Sequence, residues 1–177
     1  MIIQRTPLTE ALPFDLQAVA THCRADYFEF LPELSRMALS AASELEAYAQ
    51  IALLDQTITV TLDGPIRKAT FPLPVAPLID PLSVAVTVDG TPTDSFAVVA
   101  GLRPAIRFTD GKPCGVVVIE YQAGFGDTAD DLPPDIANAI CDQAAALFDM
   151  RGADDFKSNG MSPHMARIAA RYRRVAL

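Results

Sequence analysis

The stretch that most constrains the fold is residues 116–150, where a strand signal is followed by a glycine turn, an acidic loop and a helix signal. The β-branched run 116–119 predicts a strand, because branching at Cβ suits a pleated surface. Gly124 and Gly126 then permit backbone conformations that other residues resist. Pro134 can begin a helix, since the first helical turn needs no N–H there, and apolar residues at helical spacing follow it.

The rest of the chain separates into a helical and a strand-like part. A stripe at i, i+3, i+4 and i+7 spacing predicts a helix before residue 52, and its members are Leu34, Met37, Ala38, Ala41, Leu45 and Tyr48. Alternation predicts strands over 57–62 and 82–88, and the runs 95–99, 105–108 and 115–122 complete an antiparallel set. The proline-rich residues 72–81 cannot form a central strand and are expected to cross over in extended form.

These signals predict an α+β fold, mainly an α-helical bundle with an inserted antiparallel β-rich region and a C-terminal helical arm. We expect one domain over residues 1–160, with helices in 14–52 and 134–151 and the β-rich insertion at 56–122. Residues 152–162 have linker composition, and the arm spans 161–177. A helix as short as this arm is marginal alone and needs a partner, either its own body or another subunit.

Composition excludes several classes of protein. Half of the 177 residues are apolar and 20% are charged, so disorder is not expected. No apolar run is long enough to span a bilayer, and residues 1–7 do not resemble a signal peptide. The cysteines Cys23, Cys114 and Cys141 are odd in number and widely spaced, so they predict no disulfide framework and fit a reducing cytoplasm.

Charge is distributed unevenly along the chain. Residues 1–150 carry 8 Lys and Arg against 20 Asp and Glu, whereas residues 151–177 carry 6 against 2. An acidic body with a basic tail is typical of an interaction protein more than of a catalyst. The body is not expected to bind duplex DNA, because a polyanion would be repelled.

No motif indicates catalysis. The glycine turn lacks the third glycine of a nucleotide-binding loop, and aspartates that would repel phosphate follow it. The acidic cluster of Asp127, Asp130, Asp131 and Asp135 lacks the alternating spacing of a calcium loop, and helix capping explains it better. His22 beside Cys23 could in principle be a catalytic pair, but adjacent helical residues point in different directions. We therefore expect no enzyme and no cofactor or metal.

The ordered pattern resembles the head–tail connector, or head-completion adaptor, proteins of long-tailed phages and gene transfer agents. That family has an aromatic-x-Ala-Gly-aromatic-Gly turn after a strand, matched here by Tyr121, Gly124, Phe125 and Gly126. An acidic loop with Leu-Pro and an amphipathic helix follow, as they do here. Residues 14–24 match the short first helix, residues 33–50 the long second helix, and a closing segment ends in Tyr172-Arg173.

The resemblance implies a structural, ring-forming protein of the virion or phage-like particle, made in the bacterial cytoplasm. Its partners would be the portal protein, the neck, stopper or tail-side proteins, and further copies in a ring, which we expect to be a dodecamer. DNA would pass through the channel without specific binding, and no membrane would be involved. The arm would bind the portal, and its implied contact residues are Met165, Arg167, Ile168, Arg171, Tyr172, Arg173 and Arg174.

The basic arm allows two other interpretations. It could be a solvated amphipathic helix packed on its own acidic body, or it could make the chain a small nucleic-acid-associated binding module, since arginines suit phosphates. The second is weakened because Tyr172 is the single aromatic residue near the arginines.

Overall fold

The computed structural model describes residues 1–66, 68–101, 103–150 and 160–173. The chain forms two compact units: unit 1 is Met1–Glu10 with Leu54–Phe125, and unit 2 is Ala11–Leu53 with Gly126–Leu177. Within the described residues, unit 1 contains eight strands and unit 2 contains four α-helices. The predicted α+β class is therefore confirmed, whereas the division into one domain over 1–160 and an arm stays a prediction.

Unit 1 contains two antiparallel sheets, one of five strands in the order β1-β2-β8-β4-β5 and one of three in the order β3-β7-β6. The strands are β1 (Ile2–Pro7), β2 (Gln56–Leu62), β3 (Thr70–Pro72), β4 (Ala85–Val88), β5 (Thr91–Pro92), β6 (Phe96–Val99), β7 (Ala105–Phe108) and β8 (Val117–Ala123).

The core of the larger sheet is formed by its two longest strands, β2 and β8. Ile58 of β2 pairs with Tyr121 of β8, and Val60 pairs with Ile119. All four side chains are fully buried. The period-two burial of both strands places these side chains on one face. Alternation located β2 correctly, and the β-branched run located β8.

Unit 1 differs from the sequence prediction in its strands. Three strands were not anticipated: β1 and β5 form the two edges of the larger sheet by pairing with β2 and β4, and β3 pairs with β7 in the smaller sheet. The strand expected over 82–88 begins only at Ala85, because Pro81–Ser83 form a 3-10 turn. Asp80 stabilises that turn, since its carboxylate accepts a hydrogen bond from the N–H of Leu82 at 2.8 Å.

Unit 2 contains α1 (Leu16–Cys23), α2 (Tyr27–Ala49), α3 (Pro134–Asp149) and α4 (Pro163–Tyr172). The first three helices pack against one another, and α4 packs against α2 and α3. The buried face of α2 is small and aliphatic, consisting of Leu34, Ala38, Ala41, Ala42, Leu45 and Ala49. Such a face allows the other helices to approach closely.

The second helix begins earlier than the family pattern indicated. It starts at Tyr27 instead of near Glu33, because Asp26 is an effective N-cap. One carboxylate oxygen of Asp26 accepts hydrogen bonds from the N–H groups of Phe28 and Glu29, both at 2.9 Å. Pro32 lies in the second turn, where its missing N–H removes one intrahelical bond without ending the helix.

Candidate docking surface on the closing helix

The closing helix α4 is locally well specified by its first residues. The hydroxyl of Ser162 accepts a hydrogen bond from the N–H of Met165 at 3.2 Å, and Pro163 follows at the first helical position. Met165, Ile168 and Ala169 then fall on one face and are buried. This face packs on α2 and α3, so the arm has the partner that its short length requires.

A buried amide holds the start of α4 to α3. Gln143 is only 1% exposed, and its Oε1 accepts a hydrogen bond from the backbone N–H of Ser162 at 2.7 Å. Its Nε2 donates to Glu44 of α2 at 3.4 Å. Because a buried amide is costly when unpaired, these bonds fix the position at which α4 begins.

The neighbouring carboxylate contacts both histidines of the chain. Asp142 of α3 lies 2.7 Å from Nε2 of His22 in α1, and its other oxygen contacts Nδ1 of His164 in α4. A carboxylate accepts a hydrogen bond from an imidazole nitrogen that carries a proton, so both contacts are of a kind that holds helices together. Asp142 therefore links three helices through one side chain.

A second carboxylate holds the far end of α4. Asp135, in the first turn of α3, accepts a hydrogen bond from the Tyr172 hydroxyl at 3.0 Å and contacts Nη1 of Arg171 at 3.3 Å. Burial, with the Asp135 hydrogen bond and charge, raises the pKa of Tyr172 to about 12. The guanidinium of Arg173 lies 4.7 Å from the centre of the Tyr48 ring, a cation–π arrangement.

The predicted arm residues therefore fall into two groups. Met165 and Ile168 point into their own unit, whereas Arg167, Arg171 and Arg173 are exposed. Tyr172 is half-buried, and Arg174 lies outside the described residues. The exposed face of α4 is consequently cationic, and it is the part of the arm that another molecule can contact without displacing the helix. We call it the basic face of α4 and define it by the three exposed arginines.

The predicted family turn has a structural role in unit 1. Tyr121 is fully buried, and its hydroxyl accepts a hydrogen bond from the N–H of Val75 at 3.0 Å and donates one to the carbonyl of Val75 at 3.1 Å. Burial raises the pKa of the Tyr121 phenol well above its ordinary value, and the Val75 bond and the charge of Arg5 oppose this only in part. The tyrosine thus fixes the proline-rich crossover against β8.

The two glycines of the turn are required by close approaches. A Cβ on Gly124 would lie 2.6 Å from Cα and 2.7 Å from the backbone nitrogen of Asp55. A Cβ on Gly126 would lie 2.6 Å from Oδ2 of Asp131. Phe125 between them is half-buried. These close approaches leave no room for a side chain at either position, which explains why both residues are glycine.

The acidic cluster is used inside the fold. Oδ2 of Asp131 accepts hydrogen bonds from the N–H of Thr128 at 3.0 Å and from its hydroxyl at 2.9 Å, and these bonds lower the pKa of Asp131. Asp135 binds α4 as described, while Asp127 and Asp130 are exposed. Among the described residues, no group of three or more His, Cys, Asp or Glu side chains could hold a metal ion.

Only some of the residues that hold α4 in place could be identified from the sequence. Asp135 was interpreted as a helix-dipole residue, and its contact with Tyr172 spans 37 positions. Asp142 and Gln143 carried no local signal, because they are two of several polar residues in α3. Across the part of the chain that the structure describes, no helix is long and apolar enough to cross a membrane.

Comparison with known proteins identifies solved structures with a similar fold. No protein-family model matches the sequence, and no curated protein matches it. A chain in the virion of a native gene transfer agent (GTA) particle matches with a TM-score of 0.79 at 21% identity, covering 100% of this chain and 97% of that chain. A chain in the neck of an empty GTA particle, computed with C6 symmetry, matches with a TM-score of 0.78 at 22% identity. A chain in the neck of a native GTA particle, computed with C12 symmetry, matches with a TM-score of 0.73 at 21% identity. Both matches cover 100% of this chain and 97% of the other chain. The resemblance to connector proteins is thereby confirmed at the level of the fold.

Proposed function

We propose that this chain is a structural head–tail connector of a tailed phage or gene transfer agent. The observation that carries the proposal is the likeness of the whole chain to chains from GTA necks and virions. Because the likeness covers both units, the proposed role belongs to the whole chain. The role is geometric, joining two parts of a particle, and it includes no chemical step.

In this proposal the chain forms a ring at the head–tail interface of the particle. The neck structures that contain similar chains have sixfold and twelvefold symmetry, and we propose a dodecamer here. The ring lies between the portal and the neck or stopper proteins, and the helices of unit 2 act as a bundle that contributes contacts between copies. Synthesis takes place in the bacterial cytoplasm before assembly.

The arm is proposed to bind the portal, and its buried and exposed residues have different roles. Met165 and Ile168 hold α4 on its own unit, which presents the basic face of α4 in a fixed orientation. Arg167, Arg171 and Arg173 then pair with acidic groups of the portal. Tyr172 and Arg174 extend this contact at the end of the helix.

The ring is proposed to surround the DNA without binding it specifically. Twenty acidic side chains against eight basic ones in residues 1–150 give the body a net negative charge. A duplex that passes an acidic wall gains no phosphate contacts and releases no counterions. DNA can therefore slide through the channel.

Co-sedimentation with the matching portal protein tests the proposal. The full-length chain should sediment with the portal, and a truncation ending at Gly160 should not. Because that truncation also removes buried residues, two further variants keep them. Arg167→Glu alone reverses the arginine that contacts neither Asp135 nor Tyr48, and it should weaken binding. The triple variant reverses all three arginines of the basic face, Arg167→Glu with Arg171→Glu and Arg173→Glu, and it also removes the Asp135 and Tyr48 contacts. We expect this triple variant to bind at least about tenfold more weakly.

The matched control is Arg36→Glu, which reverses an exposed arginine of α2. It should bind the portal as the unchanged chain does. If the full-length chain does not sediment with the portal, the connector proposal is wrong. If the triple variant binds like the control, the connector proposal stands and the assignment of the basic face of α4 is wrong.

A further inference from the structure

A nearly fully exposed leucine lies on a rigid turn of unit 1. Leu82 is 90% exposed and Ile79 is 42% exposed. Asp80 fixes the turn, because its carboxylate accepts from the N–H of Leu82 at 2.8 Å and its carbonyl from the N–H of Ser83 at 3.0 Å. Pro81 adds a fixed φ. We call Ile79, Pro81 and Leu82 the apolar knob.

The apolar knob is attached to one end of β8. The N–H of Ile79 donates to the carbonyl of Gln122 at 3.1 Å, and the N–H of Gln122 donates to the hydroxyl of Ser83 at 3.4 Å. Because the turn is held in place before any encounter, a contact made through Leu82 would lose little conformational entropy. At this end of the sheet, Gln56 of β2 pairs with Ala123 of β8.

An apolar cleft lies at the other end of the same two strands, where Leu62 pairs with Val117. It has a volume of about 340 Å³, which is at the lower end of the range of pockets that bind ligands. Its apolar lining consists of Met1, Leu62, Pro65, Ile66, Phe71 and Pro72. Asp63 and Lys68 also line it.

The positions of knob and cleft favour contact between copies. They are separated by the length of the β2–β8 pair, about 20 Å at roughly 3.4 Å per residue, so a knob cannot fill its own cleft. A contact between two different patches is heterologous, and its repetition generates a ring when the rotation closes. The cleft is lined by one acidic and one basic residue, Asp63 and Lys68, and exposed Asp80 beside the knob would pair with Lys68.

We infer that Leu82 of one copy inserts into the apolar cleft of the next copy and forms a repeating contact of the ring. The inference rests on the proposed function, and it adds a contact in unit 1 to the helix contacts of unit 2. Ile79 would pack beside Leu82 at the mouth of the cleft. The occupant is a second copy of this chain, since its knob supplies apolar side chains that match the apolar lining and, in Asp80, an acidic partner for Lys68.

Photo-crosslinking tests the contact directly. Full-length chain with benzoylphenylalanine in place of Leu82 is mixed with isotope-labelled unmodified chain at about 1 mM, irradiated and mapped by mass spectrometry. We expect crosslinks from position 82 of one copy to residues 62–72 of the labelled copy. The isotope label separates crosslinks between copies from crosslinks within one.

Exposed substitutions give a second, quantitative test by sedimentation equilibrium. Leu82→Asp removes the knob, and Thr70→Trp fills the cleft from an exposed lining position. Each should weaken self-association about ten- to a hundredfold, the value of one buried aliphatic side chain. Leu8→Asp is the matched control, because Leu8 is 51% exposed in the same unit and belongs to neither patch; it should change nothing.

The outcomes separate this inference from the connector proposal. Crosslinks between copies that map elsewhere would overturn the knob-and-cleft contact and leave the ring intact. The absence of any crosslink between copies, or equal self-association of Leu82→Asp and Leu8→Asp, would also overturn it. The portal sedimentation experiment decides the connector role independently of either result.

Discussion

At the scale of single residues, Tyr121 of the family-like turn has a structural role. Its hydroxyl bonds both backbone groups of Val75. Tyr121→Phe should lower the free energy of unfolding by about 1–3 kcal/mol, because it leaves a buried N–H without its partner. Urea denaturation measures the change. Tyr48→Phe, at an exposed position, is the control and should be neutral; an equal effect in both variants would contradict this role for Tyr121.

The cysteines provide a second prediction at this scale. Burial raises the pKa of the Cys141 thiol, and the neighbouring Cys23, Asp142 and Asp15 add to the shift. A raised pKa leaves less thiolate at neutral pH, so Cys141 should react with maleimide far more slowly than exposed Cys114. Its rate should rise with pH as thiolate forms.

Mass spectrometry of native protein over a range of pH measures this order of labelling. The same reaction in urea is the control, because unfolding should make the cysteines react alike. Labelling of Cys141 as fast as Cys114 at neutral pH in the native state would show that the α1–α3 contact opens readily.

At the scale of elements, α4 should contribute to the stability of unit 2. Ile168 is 2% exposed at the contact of α4 with α2 and α3. Ile168→Ala should lower the free energy of unfolding by about 2–4 kcal/mol through lost burial and a residual cavity. Arg167→Ala, on the adjoining exposed side, is the control and should stay within about 0.5 kcal/mol. Equal stability of the two variants would mean that α4 is not held by its apolar face.

Elements with a repeating apolar pattern were predictable from the sequence. The alternation of residues 57–62 predicted β2, the β-branched run 116–119 predicted β8, and the apolar stripe after Pro134 predicted α3, and the structure contains all three elements. The edge strand β1 lacked such a pattern, because Ile2 is exposed and the strand is defined by pairing with β2. Pairing between distant segments is a tertiary effect that local propensity does not contain.

The candidate surface was predictable only in composition. The arginines and the amphipathic spacing of residues 161–174 were visible, but the burial of Ile168 depends on the shape of α2 and α3. The partners Asp135 and Gln143 lie 37 and 19 positions from the groups they bind. Sequence spacing does not predict contacts between residues so far apart. Which residues of the arm are buried and which arginines are exposed therefore became clear only from the structure.

At the scale of the whole molecule, the net charge of −8 at pH 7 separates the connector proposal from the nucleic-acid alternative. Duplex binding depends on neutralising phosphates and becomes much stronger as salt is lowered. The full-length chain should therefore show no binding to a duplex in fluorescence anisotropy at about 50 mM salt, because repulsion by the acidic body outweighs three exposed arginines. The triple Arg→Glu variant should give the same result. Binding that falls steeply with salt and disappears in that variant would favour the alternative, a nucleic-acid-binding module that uses the basic face of α4.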